Sequence, residues 1–214
     1  MKKVLVISVH PDDETIGCGG TIFHHLAKGD EVYCAWITNG NKKQETLIPE
    51  VEKAFSFKKT YKLEFPEITL NEIALKDIID KISYVFNDSY ANIIYLPNRC
   101  DPHSDHRKAF DACQACIKSF RYPFIEKVMM MEVISETDFA PMLPENIYMP
   151  HVYVDISKYF DMKINVLKIF QDEMLSSPLT RSFSSMKAFN RYRGSQINTE
   201  FAESFMLLKD IIRD

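Results

Sequence analysis

The sequence has little of several features that define other classes of protein. None of its apolar runs approaches the ~20 residues that a membrane-spanning helix requires, and its first residues show no apolar signal segment. Its five cysteines are odd in number and the chain is not small, which argues against a disulfide framework. No long basic block occurs and the net charge is −4, so nucleic-acid binding is not expected. We therefore expect a cytoplasmic protein that neither spans a membrane nor binds nucleic acid.

Cys113 and Cys116 form a Cys-x-x-Cys pair, which has two kinds of interpretation. A redox pair or a zinc knuckle is the functional one, but no second pair completes a four-cysteine site. Both residues fall inside a predicted helix, where cysteine commonly acts as a small buried apolar residue. We therefore assign the pair to the core.

The apolar residues, 46% of the chain, alternate between strand-like and helix-like patterns. The predicted strands are Val4–Val9, Glu31–Thr38, Tyr61–Phe65, Ala91–Leu96, Phe124–Val133 and Val152–Ile156. The predicted helices are Gly17–Lys28, Leu47–Lys58, Asn71–Asn87, Asp105–Phe120, Ser157–Glu173, Ser184–Arg193 and Thr199–Ile212, with an irregular loop over Leu175–Phe183. This alternation predicts one α/β domain over residues 1–214, a Rossmann-like, doubly wound, mostly parallel sheet with helices on both faces.

Two polar clusters follow apolar strands at the positions where an open α/β sheet binds ligands. After Val4–Val9 come His10, Asp12 and Asp13, and after Ala91–Leu96 comes a second group of acidic and imidazole side chains. The second group comprises Asp101, His103, Asp105 and His106. Because the carboxyl ends of parallel strands meet at one edge of the sheet, we expect the two clusters to converge. Imidazole and carboxylate are standard zinc ligands, so the pattern favours a catalytic metal site over an ordinary loop.

Three motifs resemble those of the LmbE-like (PIG-L) deacetylase family. The first is His10-Pro-Asp12-Asp13-Glu14 with Gly17-Cys-Gly-Gly, and the second is Asp101-Pro-His103-Ser-Asp105-His106. The third is Phe189-Asn-Arg191-Tyr192-Arg193-Gly194 followed by Phe201-Ala-Glu203. Members of this family are zinc hydrolases that remove N-acetyl groups from amino sugars and their conjugates. The resemblance implies that activity, with zinc or another divalent metal such as Fe²⁺ as cofactor.

The resemblance also implies a role for each matching residue. His10, Asp13 and His106 match the metal ligands, and Asp12 matches the general base. His103 matches the histidine that assists at the carbonyl or the leaving group, and Asp105 matches the acidic residue that orients that histidine. The segment Ser184–Gly194, which the resemblance places near the site, has two interpretations. It is either a surface helix whose aromatic side chains pack on the core, or a flap over the sugar in which Tyr192 adds a hydrogen bond to the oxyanion and Arg191 or Arg193 contacts sugar hydroxyls or a charged aglycone. We predict the flap. The implied partner is a small-molecule N-acetyl amino sugar or glycoconjugate, and a homo-oligomer is left open.

Two positions depart from the family pattern, and they concern the substrate rather than the metal. Leu47 occupies the position of a frequent arginine three residues before Glu50, and Ser104 replaces a usual proline. A zinc amidohydrolase acting on a different N-acyl compound therefore stays an alternative. A nucleotide-binding Rossmann module is a further alternative, but the glycine spacing and the Thr38-Asn39 end of the second strand argue against it.

Overall fold

Seven strands form a single sheet in the computed structural model, which describes residues 1–213. The strands are β1 (Lys3–Ser8), β2 (Glu31–Thr38), β3 (Lys59–Phe65), β4 (Ile93–Leu96), β5 (Lys127–Met131), β6 (Val152–Asp155) and β7 (Ala202–Asp210). Their order across the sheet is β3-β2-β1-β4-β5-β7-β6. Within the described residues, β7 runs antiparallel to both of its neighbours, β5 and β6, and the other strand pairs are parallel. Asp214, the last residue of the predicted domain, lies outside the described residues.

Six α-helices within residues 1–213 cover both faces of this sheet. They are α1 (Asp13–Ala27), α2 (Lys42–Phe55), α3 (Leu75–Ser89), α4 (Ser104–Ala115), α5 (Phe160–Leu167) and α6 (Phe183–Ser195). Alternate residues of β1 face opposite sides: Leu5 and Ile7 join the core under α3 and α4, whereas Val4 and Val6 join the core under the other helices. The predicted doubly wound, mostly parallel fold is confirmed.

The topology brings the two predicted polar clusters together. The chain builds β1, β2 and β3 outward in one direction and then returns to place β4 on the other side of β1. Val4, Leu5 and Val6 of β1 pair in parallel with β4. The loops after β1 and β4 therefore leave the same edge side by side, at the topological switch point of the sheet.

The helix predicted over Thr199–Ile212 is wrong, because this segment forms β7. Many of its residues are strong helix formers, as its sequence Ala-Glu-Ser-Phe-Met-Leu-Leu-Lys-Asp shows. In addition, the periodicity of a short apolar run does not distinguish a strand from a helix. The pairing of β7 with both β5 and β6 decides the outcome, since it satisfies the backbone groups of three strands at once.

Several predicted boundaries also shift. The second helix begins at Lys42 rather than Leu47, because Asn41 and Gln44 form a capping box; Pro49 then lies well inside the helix. The helix predicted over Ser157–Glu173 is α5 followed by a 3₁₀ segment over Lys168–Glu173, and Tyr159 rather than Ser157 is its N-cap. The helix predicted to reach Phe120 ends at Ala115, and the strand predicted over Phe124–Val133 is limited to β5.

A buried ion pair holds a kink in α1. Cys18 leaves helical geometry (φ −148°), which frees backbone groups on either side of it. Glu203 of β7 accepts hydrogen bonds from the amides of Gly20 and Thr21 at 3.0 and 2.7 Å. Lys163 of α5 donates to the carbonyl of Ile16 and to Glu203, both at 2.7 Å. The pair thus caps both halves of the helix whose first residues belong to the site.

Two further features of the structure bear on the sequence analysis, namely the cysteine pair and the length and hydropathy of the helices. Cys113 and Cys116 are buried free thiols, Cys113 within α4 and Cys116 at its C-cap, as assigned to the core. Among residues 1–213, no helix is both long enough and apolar enough to cross a membrane.

Candidate metal and catalytic site

Two helix N-termini and the loops before them build the site. His10 lies in the turn after β1, Asp12 is the N-cap of α1, and Asp13 is the first residue of that helix. After the neighbouring strand β4, His103 is the N-cap of α4, whose third residue is His106. Both helices begin at the site, so their N-terminal dipoles favour the negative charge of the carboxylates gathered there.

Three side chains present their donor atoms to a common point. Asp13 Oδ2 lies 3.6 Å from His10 Nδ1 and 3.3 Å from His106 Nε2, and the two ring nitrogens are 3.4 Å apart. Ligands about 2.0–2.1 Å from a tetrahedral zinc lie about 3.3–3.4 Å from one another. The second oxygen of Asp13 is buried without any hydrogen-bond partner among the described residues. The donor set and its spacing therefore fit a divalent metal ion.

Each histidine of this cluster directs its other ring nitrogen to a carboxylate. His106 Nδ1 donates to Asp101 Oδ2 at 2.8 Å, and Thr137 Oγ1 donates to the other oxygen of Asp101 at 2.9 Å. His10 Nε2 lies 3.4 Å from Asp105 Oδ2. Such outer carboxylates are typical of metal-binding histidines, because they fix the orientation and tautomer of the ring.

Asp105 has partners other than the expected one. Its carboxylate accepts hydrogen bonds from the amides of Ile68 and Leu70 at 2.6 and 3.2 Å and contacts His10. Its link to His103 is through the backbone, since the Asp105 amide donates to His103 Nδ1 at 3.1 Å. Among the described residues, the hydrogen bonds of its carboxylate do not reach His103. The geometry thus points to His10 as the ring that Asp105 orients.

The charges of the cluster favour a bound cation. Burial opposes protonation of His10, but hydrogen bonds with Asp105 and Asp13 raise its pKa to about 9. Burial also opposes protonation of His106, but the charge of Asp13 and the hydrogen bond to Asp101 raise its pKa well above the usual value. Burial also opposes ionisation of Asp13, but the charge of His106 and hydrogen bonds from both rings lower its pKa well below the ordinary range. The carboxylates therefore draw positive charge to this point, and a divalent metal ion would supply that charge by displacing protons.

Asp12 lies beside the three donors without joining them. Its backbone has φ 136°, a conformation that non-glycine residues seldom adopt and that is typical of functional sites. Three hydrogen bonds of its backbone hold it there: its amide donates to Glu14 Oε2 at 3.2 Å, and its carbonyl accepts from the amides of Thr15 and Ile16. The carboxyl group is buried, and burial raises its pKa to about 8 although the charge of Arg181 opposes the shift. A carboxyl group with a pKa near neutrality is suited to accept and return a proton.

His103 forms the outer wall of the cluster. Its ring is half-buried and stacks edge-on against His10, with 4.6 Å between centroids. Because Nδ1 accepts the amide hydrogen of Asp105, the neutral ring carries its own hydrogen on Nε2. Burial, with the charges of His10 and His106, lowers the pKa of His103. The neutral ring therefore offers one N–H donor.

The three residues predicted on α6 are not among the hydrogen-bond partners of this cluster within the described residues. Arg193 makes a two-point ion pair with Glu132, which also accepts from Ser204 Oγ at 2.6 Å. Tyr192 is 60% exposed and Arg191 is exposed. Within residues 1–213, no hydrogen bond joins these side chains to His10, Asp13 or His106. Arg193 instead lines a cavity of about 560 Å³ together with Phe189 and Thr137.

Two contributors to the site were not predicted, and a third residue was predicted without its role. Arg181 reaches Asp12 from a loop that has no recognisable motif, so no sequence pattern marks it as part of the site. Thr137 likewise lies in an irregular segment. Asp101 belonged to the predicted cluster, and its place five residues before His106 was a usable signal, but its role as partner of that ring was not assigned.

The family is shown by comparison with known proteins. The model of the PIG-L family, described as GlcNAc-PI de-N-acetylase, matches residues 5–117, more than half of the chain. The chain therefore belongs to the PIG-L family, as its motifs suggested.

Two curated relatives and one solved structure illustrate the range of similar proteins. The uncharacterized deacetylase YaiS of Escherichia coli K12 is 26% identical, over 78% of this chain and 89% of its own length. The diacetylchitobiose deacetylase of Thermococcus kodakarensis is 21% identical, over 99% of this chain and 85% of its own. The structure of GalB, the 4-carboxy-2-hydroxymuconate hydratase of Pseudomonas putida KT2440, has a TM-score of 0.77 at 16% identity and covers 100% of this chain and 99% of its own. That last similarity shows the fold alone, and the same fold thus carries more than one reaction.

Proposed function

We propose that this protein is a metal-dependent N-deacetylase that hydrolyses the acetamide of an amino sugar or of its conjugate. The observation that carries the proposal is the convergence of His10 Nδ1, Asp13 Oδ2 and His106 Nε2 at 3.3 to 3.6 Å, with Asp12 beside them. Three protein donors leave a coordination position for water, as catalytic zinc sites require. Family membership and the names of the relatives support the choice of an acetamido sugar as substrate.

The metal is held by His10, Asp13 and His106 in this proposal. Zinc suits two imidazoles and one carboxylate, and Fe²⁺ is compatible with the same donors. When bound, the ion supplies Lewis acidity, which makes a water molecule nucleophilic near neutral pH. Asp101 and Asp105 keep the two rings turned towards it.

Asp12 and His103 move the protons of the reaction. Asp12 accepts the proton of the water whose oxygen attacks the acetamide carbonyl carbon. His103, through its Nε2–H, donates a hydrogen bond to the carbonyl oxygen as negative charge develops there. The proton on Asp12 then passes to the nitrogen as the C–N bond breaks, which yields acetate and the free amine.

The residues of α6 contact the substrate in the proposed complex. Arg193 and Arg191 hydrogen bond to sugar hydroxyls or to an aglycone, and Tyr192 adds a donor at the oxyanion. The arginine contacts require the substrate to extend from the metal towards the cavity beside Phe189 and Arg193. An extended glycoconjugate spans that path better than a free monosaccharide does.

The experiment measures metal content and acetate release together. The purified protein is expected to contain about one zinc or iron per chain, since three ligands from one chain define one site. It should release acetate from N-acetylglucosamine, diacetylchitobiose or a GlcNAc glycoside, and chelation should abolish that release.

The variant His106→Ala should lose both the metal and the activity. The matched control is His151→Ala, because His151 is an exposed histidine outside the site. Metal retention in a His10→Ala, His106→Ala double variant would contradict the ligand assignment. A loaded enzyme that releases acetate from no N-acetyl compound would contradict the proposed reaction.

A further inference from the structure

Arg181 reaches the site from a loop that is tied down along its length. The loop connects the 3₁₀ segment Lys168–Glu173 to α6. It is closed by a hydrogen bond from the Leu175 amide to the Arg181 carbonyl at 2.7 Å. Thr180 Oγ1 lies 2.9 Å from Ser135 Oγ, and Ser185 Oγ donates to the Leu179 carbonyl at 2.8 Å. The backbone that carries Arg181 is therefore held on both sides.

The Arg181 guanidinium is the cationic partner of Asp12. Its Nη1 lies 3.2 Å from Asp12 Oδ2, and the two side chains are 19% and 2% exposed. Against the effect of burial, the negative charges of Asp13, Glu136 and Glu173 add to that of Asp12 in raising the pKa of Arg181. Within residues 1–213, the bond to Asp12 is the only hydrogen bond of the guanidinium, and Arg181 is the only side chain that hydrogen bonds to the Asp12 carboxylate.

We propose that Arg181 is a positioning residue for Asp12, which fixes the direction of that carboxylate towards the reacting water. This inference rests on the proposed function, because it assigns Arg181 to the base of that reaction. The backbone of Asp12 is already fixed by the Glu14 contact and the first turn of α1. Rotation about the side-chain bonds is the freedom that remains, and the contact with Arg181 removes it. Misplacement of a reacting group by about 1 Å can lower a rate about 100-fold.

A direct contact between Arg181 and the substrate is the competing explanation. Its remaining N–H groups have no protein partner in the described part of the chain, so they are free to bind sugar hydroxyls. The two roles differ in one respect. A residue that acts through Asp12 has no effect once Asp12 cannot act as a base, whereas a substrate contact keeps its effect.

The test is a double-mutant cycle of Arg181→Gln and Asp12→Asn, with acetate release by the metal-loaded enzymes as the readout. Arg181→Gln should lower kcat about 10- to 100-fold with little change in KM and with full metal content. In the Asp12→Asn background the same change should alter kcat less than about threefold, because residues that act as a unit are not additive. Guanidinium ions added to Arg181→Ala should restore part of kcat. Arg121→Gln, which replaces an exposed arginine, is the control and should match the wild type.

Equal fold-losses in both backgrounds, or a rise in KM alone, would overturn the positioning role in favour of substrate contact. A second arm measures urea unfolding of the same four proteins and needs no substrate. The midpoint shift caused by Arg181→Gln should be larger with Asp12 present than with asparagine there, since breaking a buried pair strands a charge. Equal midpoint shifts would overturn the pairing itself. If the wild-type protein releases no acetate, the proposed function fails, and the urea arm still decides whether Arg181 holds Asp12.

Discussion

Replacement of Asp105 by asparagine is expected to weaken metal binding about 10- to 100-fold, the usual effect of losing an outer-shell partner of a ligand. That range corresponds to about 1.4–2.8 kcal/mol of binding free energy. The structural reason is that the buried carboxylate accepts from the Ile68 and Leu70 amides while its Oδ2 also contacts His10 Nε2. An asparagine side chain has one acceptor oxygen, so its amide group faces either a backbone N–H or the His10 ring. The ring then loses the contact that turns Nδ1 towards Asp13.

A competition titration with a chromophoric zinc chelator measures this affinity directly. Asp111→Asn is the matched control, because Asp111 is an exposed aspartate on the same helix α4. Wild-type zinc affinity in Asp105→Asn, combined with a large loss of kcat, would refute the reasoning. That result would show that Asp105 acts on His103, as the sequence resemblance implied.

Three further predictions address the fold and the substrate contacts. Lys163→Met should lower the free energy of unfolding by about 3–5 kcal/mol in a urea titration, because it leaves the buried Glu203 carboxylate without its cation; an unchanged midpoint would contradict the capping role. Gly20→Ala should lower the melting temperature, although alanine normally favours a helix, since its Cβ would lie 2.7 Å from the Ile156 side chain; a rise would show that Ile156 can move aside. Tyr192→Phe and Arg193→Ala should lower kcat/KM with the metal content unchanged, by up to about 2.7–4 kcal/mol for one lost oxyanion donor; unchanged kinetics in both variants would leave them only a packing role.

The parallel part of the fold was predictable because its signals are local. Buried parallel strands such as β1 are continuous apolar runs, and each is followed by a segment with helical periodicity. The last strand was not predictable in the same way. The sequence of β7 is compatible with a helix, and what fixes it as a strand is its pairing with β5 and β6, whose residues are distant in the chain. Helix starts were displaced where a side-chain cap such as Asn41 outweighed the apolar pattern.

The residues of the candidate site also differ in whether they were predictable from local sequence signals. His10, Asp12, Asp13 and His106 follow directly after two strands whose carboxyl ends are neighbours, so their convergence followed from the topology. Arg181 was not predictable, because its distance from Asp12 depends on how an irregular loop folds back over the sheet edge. The partner of the Asp105 carboxylate depends on the orientations of the His10 and His103 rings. Residue spacing in the sequence does not determine those orientations.

The most direct test of the account compares the adjacent variants Asp12→Asn and Asp13→Asn. The two carboxylates are neighbours in the chain, but only Asp13 contributes an atom to the cluster of donors. The measurement is metal content per chain and acetate release on the same preparations. Asp12→Asn should retain its metal while kcat falls by about 100-fold or more, the usual contribution of a positioned base. Asp13→Asn should lose the metal and the activity together. Loss of metal in Asp12→Asn with retention in Asp13→Asn would reverse the two roles and contradict the account.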